Sequence, residues 1–299
     1  MSKKALLLLL SIVFALAACA TPAPPPEPPP APPAPPPPPP PPPVVEPEAP
    51  PPDTAGPVLG FSTPVKYFSP DNDGVDDVLY VQLMVEDESP IASWNIEIRE
   101  PQPPYLLFYQ IGGEGAPPAE LTWDGRSSSG ELVQSASDYP FTFTVTDSLG
   151  NVSVLEGLIE VDVLVIREGD QLRVQVPSIV FSANAGNFDG LAPDIAENNE
   201  RILRRIAEVL NKFVTYQVKV EGHANPTART AREAEREEAS ELKPLSELRA
   251  RAVVGKLIEF GVAANRLSSV GMGGTRPVIQ LDDRDNWWKN RRVEFILIR

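Results

Sequence analysis

Proline constrains this chain before any other residue type does. Of 299 residues, 37 are proline, and most of them stand between Pro22 and Pro57. Proline fixes φ and brings no N–H, so a run such as Pro35 to Pro43 excludes both helix and sheet. From Ala20 to Pro57 the expectation is a disordered proline-rich linker that samples extended polyproline II, at about 3.1 Å per residue. Its roughly 38 residues would reach on the order of 100 Å. About 240 residues are left to fold, enough for two sizeable cores.

The segment before the tract reads as an address. Lys3 and Lys4 precede an apolar run from Ala5 to Ala18, the length of a signal-peptide core and short for a membrane span. It ends in Leu16-Ala17-Ala18-Cys19, which resembles a bacterial lipobox: small residues for cleavage, then the cysteine that takes the lipid. That resemblance implies an acylated Cys19 and, with Ala20 rather than Asp after it, a place in the outer membrane. Two or more acyl chains anchor stably, at about 0.8 kcal/mol for each buried methylene.

Composition removes several function classes. Net charge is −15, whereas a nucleic-acid binder normally shows a basic face, so no nucleic-acid partner is expected. One cysteine permits no intramolecular disulfide, and one histidine, His223, argues against structural zinc. No cofactor and no metal site is expected. Nor is an enzyme: Cys19 is taken by lipid and His223 has no nucleophile paired with it.

Residues 58–166 read as a β-sandwich. Val78–Val85, Trp94–Ile98, Tyr105–Ile111, Phe141–Val145 and Val152–Ile159 are short, β-branched or aromatic, and bounded by turn residues. Trp123-Asp124-Gly125-Arg126, Gly130, Tyr139 and Phe143 to Asn151 resemble the Ig-like domain of flagellar hook-capping proteins. The likeness implies a core tryptophan, an Asp-Gly turn and a hairpin closed by Asp-x-x-Gly-Asn. The acidic loop Ser69 to Asp77 departs from a calcium-loop pattern and reads as a turn.

From residue 172 the pattern alternates between strand and helix, giving an α+β domain of order β-α-β-α-β-β. Ser178–Phe181 reads as its first strand. Ile202, Leu203, Ile206, Val209 and Leu210 line one helix face. Tyr216, Val218 and Val220 alternate as a half-buried strand. Ser246 is placed to cap a second helix with Leu248, Val253, Val254, Leu257 and Ile258 on its core face and Gly261 closing it. Leu267–Val270 and Val293–Ile298 complete the sheet.

Several landmarks are then in order. They are Val220-Glu221-Gly222-His223-Ala224-Asn225, Leu245-Ser246-x-x-Arg249-Ala250, Gly261, Arg266-Leu267, Gly271-x-Gly273-Gly274 and Asn290-Arg291-Arg292-Val293-Glu294. Together they resemble the OmpA-like domain. The resemblance implies non-covalent binding of peptidoglycan through the diaminopimelate, or another diamino acid, of its stem peptide. Carried over residue by residue, it points to Asn184, Asn225 and Arg249 as the ligand-binding set, with Arg249 taking a carboxylate. Arg291, Arg292 and Glu294 are expected to tie the last strand to its neighbours, and Trp287 and Trp288 to pack.

The chain departs from the pattern at two places. The family's pocket aspartate is Asn225, which offers an ammonium no counter-charge and weakens that contact by about 1–3 kcal/mol. The Pro226–Pro244 connection is long and rich in Glu and Arg. It reads as a solvated helical turn with i,i+4 pairs; a glutamate folding over the pocket is the sharper reading. The expectation as a whole is an outer-membrane lipoprotein facing the periplasm that tethers membrane to wall. The alternative is an adhesin or scaffold acting through a protein partner of the Ig-like domain.

Overall fold

The computed structural model describes residues 52–182, 185–228 and 230–299. Cys19, Asn184 and the proline tract up to Pro51 lie outside the described residues.

Two antiparallel sheets open the described chain. One contains β1 (Val58–Ser62), β2 (Leu79–Glu86) and β5 (Glu120–Trp123), in the order β1-β2-β5. The other contains β3 (Ile91–Arg99), β4 (Leu107–Glu114), β6 (Asp138–Asp147) and β7 (Val152–Glu160), in the order β4-β3-β6-β7. Their inward residues alternate and meet in one core around Phe68, Trp94, Trp123, Tyr139 and Phe143. The Tyr139 hydroxyl accepts from the Gln134 N–H at 2.8 Å, which satisfies the one polar atom that this fully buried ring carries inside. The Asp147 carboxylate accepts the N–H groups of Leu149 and Asn151 and closes the β6–β7 turn. β1 and β5 lie in stretches where no alternation is long enough to announce a strand.

A five-stranded sheet follows, in the order β11-β10-β12-β9-β8. Its strands are β8 (Ile166–Glu168), β9 (Gln171–Val176), β10 (Gln217–His223), β11 (Leu267–Gly273) and β12 (Val293–Ile298). Only β10 and β11 run parallel. α1 (Pro193–Lys212), α2 (Ala231–Glu237) and α3 (Lys243–Glu259) complete the unit, with one turn of π-helix at Glu238–Leu242 between α2 and α3. The predicted α1 face is buried: Ile202, Leu203, Ile206, Val209 and Leu210. Arg266 donates to the carbonyls of Leu210, Phe213 and Tyr216, and so satisfies orphan acceptors at the C-terminal end of α1.

Four expectations are corrected. Ser178–Phe181 is not a strand; β9 takes that place and the segment runs irregularly. Its Val180 N–H and C=O are paired instead with the Asn199 side chain of α1, at 3.0 and 2.6 Å. Ser246 caps nothing, because α3 continues the π-helical turn and Ser246 lies inside it, 0% exposed. Leu248 and Ile258 face solvent, at 52% and 43% exposure, so the core face of α3 is Ala250, Val253 and Leu257. Among the described residues, no glutamate of the long connection pairs with an arginine at i,i+4, and Glu233, Glu237 and Glu238 accept from backbone N–H groups instead. Glu233 completes a capping box with Thr230, and Glu237 accepts from the N–H groups of Thr227 and Ala228.

The described residues from 52 to 299 belong to a single unit, and the seam between its two halves is polar. Arg205 of α1 holds Asp162 through two bonds of 2.8 and 2.6 Å. Lys289 is only 2% exposed, yet its Nζ stands 2.7 Å from both Glu100 and Glu131 of the first half. Burial pushes the Glu100 carboxyl up, and the Lys289 ammonium pulls it back. Lys289→Ala would leave Glu100 buried without a counter-charge and is expected to cost about 3–5 kcal/mol in urea denaturation. Lys289→Met with Glu100→Gln should recover most of that loss.

Candidate functional site

The site begins with close packing. A Cβ on Gly222 would overlap the Ser246 carbonyl, and one on Gly271 would overlap backbone atoms of Lys243 and Glu247. These two glycines let the first turns of α3 lie directly on β10 and β11. Side chains then lock the contact. The Ser246 Oγ accepts the Gly273 N–H at 2.9 Å, and Glu247 accepts the Gly271 N–H at 2.5 Å. Glu238 accepts the Gly274 N–H at 2.8 Å.

Seated in this way, α3 carries Arg249 to a cavity of about 220 Å³. The walls are Pro177, Ile179, Val180 and Phe181 from the irregular segment, His223 from the end of β10, and Trp288, Arg291, Arg292 and Val293 around the start of β12. Gln102 of the first half completes them. The Arg249 guanidinium lies 5.1 Å from the Phe181 ring centroid and donates through Nε to the Ala185 carbonyl at 3.2 Å. Arg291 stands exposed at the rim. Among the described residues, neither arginine makes a salt bridge. Burial first, and then the Arg291 charge, lower the Arg249 pKa, and no carboxylate opposes them.

Behind the cavity lies a charged layer with a structural role. Glu221 and Glu294 are register partners on β10 and β12. Arg292 neutralises Glu294 at 2.7 Å and Lys219 neutralises Glu221 at 2.7 Å. The His223 Nε2 is 3.8 Å from each of the two carboxylates. Glu221, His223 and Glu294 could between them ligate a cation, but the nearby Arg292, Lys219, Arg276 and Arg173 already supply positive charge. Asp71, Asp73 and Asp77 also cluster, and each accepts backbone N–H bonds within the turn that they build or from Val165.

The structure therefore divides the residues singled out from the sequence. Arg249 lines the cavity. Asn225 does not: it is buried beside it, its Oδ1 accepting from Asn290 at 2.8 Å and its Nδ2 donating to the Pro226 carbonyl at 3.0 Å. Asn290 in turn accepts the N–H groups of Val278 and Ile279, so the asparagine pair pins two loops together. Arg292 and Glu294 tie β12 in place as expected, whereas Arg291 turns to the cavity. Trp288 packs and also lines the wall. Sequence reasoning missed Arg291 and Gln102. The doubled arginine of Asn290-Arg291-Arg292 offered a signal for the first, since neighbours on an extended segment point to opposite sides. Nothing local marked Gln102.

Residues 187–291 match the OmpA family. A peptidoglycan-associated lipoprotein of Mesorhizobium japonicum is 34% identical over 116 residues, 38% of this chain and 64% of that protein. One from Agrobacterium fabrum is 31% identical over 120 residues, 39% of this chain and 63% of that protein. Outer membrane porin F of Pseudomonas aeruginosa is 31% identical over 108 residues, 36% of this chain and 28% of that protein. The matched segment thus spans a little under two thirds of the lipoproteins. Among solved structures, the periplasmic domain of Helicobacter pylori MotB is 24% identical, covering 45% of this chain and 77% of that one, with a TM-score of 0.36.

The buried imidazole gives a pH signature. Burial, with the Arg292 charge next, holds the His223 pKa down at about 3 against an ordinary 6.5. The folded value lies below the unfolded one. The contribution to stability is therefore complete above about pH 6.5 and is lost as pH falls toward 3, by about 1.4 kcal/mol per unit. His223→Phe should flatten that acid limb in a pH series of thermal midpoints.

Proposed function

We propose that this chain, whose C-terminal part is an OmpA-like domain homologous to peptidoglycan-associated lipoproteins, ties an outer membrane to the cell wall. The domain holds the stem peptide of peptidoglycan without a covalent bond. Acylated Cys19 holds the lipid, and the proline-rich linker spans the gap. The first half is an Ig-like sandwich that sets the C-terminal domain at a fixed place on the tether. The role is mechanical and needs no catalysis.

The observation that carries this reading is the cavity with two unpaired guanidiniums, Arg249 and Arg291, and no acidic side chain among its described walls. A half-buried, unpaired arginine against an aromatic ring is costly to keep unless an anion comes to it. A peptide carboxylate suits the planar fork of Arg249, and Arg291 at the rim draws it in. Asn225 acts by holding the loop beside the cavity, since its oxygen is already given to Asn290.

Retention of the full chain on purified sacculi tests this. Arg249→Ala removes a charge-assisted bond worth about 1.5–3 kcal/mol, so retention should weaken by about 10- to 100-fold. Arg291→Ala should weaken it less and chiefly at low salt. Asn225→Asp should leave retention close to wild type. Undiminished retention of Arg249→Ala would overturn the assignment.

A further inference from the structure

The cavity is not the property of one domain. Gln102 lies in the tight turn between β3 and β4, where the Tyr105 N–H returns to the Gln102 carbonyl at 2.9 Å and the Glu100 N–H to the Leu106 carbonyl at 2.8 Å. That turn is pressed against the cavity by the Lys289 ammonium, which holds Glu100, two residues before Gln102, and which follows the cavity residue Trp288 directly. Gln102 is partly buried, and among the described residues its side-chain amide has no hydrogen-bond partner. Across the cavity, neither nitrogen of the buried His223 has a partner. Among the described residues, the polar groups on offer are therefore the two unpaired cations Arg249 and Arg291, one primary amide and one imidazole; Arg292, the third guanidinium of the wall, is already paired with Glu294, and no carboxylate lines the cavity. At about 220 Å³, the space is that of about seven waters at about 30 Å³ each, enough for one small residue of a peptide.

An amino acid with a free ammonium fits this set badly. Its carboxylate finds Arg249, but its ammonium meets Arg291 and no counter-charge. An amino acid whose nitrogen is acylated carries the same carboxylate and replaces the ammonium with a neutral amide, which can exchange hydrogen bonds with the Gln102 amide. We propose that this cavity selects an N-acylated amino-acid carboxylate over one with a free ammonium, and that Gln102 of the first half is the residue that makes the distinction. The proposal rests on the reading that the cavity binds wall peptide. It narrows that ligand to a carboxyl end whose neighbouring nitrogen lies in an amide bond.

The test uses the full chain in detergent, retained on purified sacculi and released by N-acetyl-D-alanine or by D-alanine. The acetylated probe should release wild type at concentrations lower by about tenfold or more. Gln102→Ala should bring the two probes close together while sacculus retention stays dependent on Arg249 and the thermal midpoint is unchanged. Gln102→Glu adds the missing counter-charge and should improve release by D-alanine relative to wild type, a gain that damage to the fold would not produce. Equal release of wild type by both probes, release by neither, or a preference unchanged in both Gln102 variants would overturn the proposal. If wild type were not retained on sacculi, the wall-binding reading itself would fall. Retention that depends on Arg249 without preference between the probes would sink only the present inference.

Discussion

Everything at this site depends on how closely α3 can approach the sheet. Two missing methyl groups, at Gly222 and Gly271, set that distance, because any Cβ there would collide with backbone atoms of the helix. Backbone cannot move aside as a flexible side chain can, so the distance is fixed rather than preferred. Ser246 and Glu247 then convert proximity into direction by accepting N–H groups from the end of β11. Arg249 lies less than one turn farther along the same rigid helix. Its position at the cavity is thus inherited from glycine packing in the sheet, and functional side chains carried by rigid elements are held more tightly than those on loops.

The charged layer beneath the cavity has a different logic. Glu221 and Glu294 face each other across two strands, which would be repulsive on its own. Arg292 and Lys219 cancel that repulsion at 2.7 Å each, and His223 stays neutral between the two carboxylates. The arrangement spends cations on structure and leaves Arg249 and Arg291 without acids. Two neighbouring arginines of one motif thereby acquire opposite fates. Arg292 is buried in a pair, and Arg291 is open to solvent and to whatever anion arrives.

Much of the fold was legible in the sequence, and the failures have identifiable causes. The α1 stripe, the alternation of β6 and β10 and the Asp147 hairpin follow from periodicity and turn chemistry, which are local. Ser178–Phe181 looked like a strand because it is a short apolar run, but the Val180 backbone groups pair with the Asn199 side chain rather than with a neighbouring strand. Ser246 looked like a cap because nothing local reveals that a π-helical turn runs straight into α3. Arg249 could be found from its motif. Gln102 could not, since it reaches the cavity only through the docking of two halves held by Lys289, which lies 189 residues from Glu100 and 158 from Glu131.

That docking has an evolutionary corollary. A sandwich and an OmpA-like module joined only by a flexible connector could be exchanged freely during gene rearrangement, like cassettes. Here the second module buries an ammonium that needs carboxylates from the first, at Glu100 and Glu131. A substitute partner lacking acids at those two places would inherit a desolvated cation with nothing to neutralise it, so the pair must travel, and diverge, together.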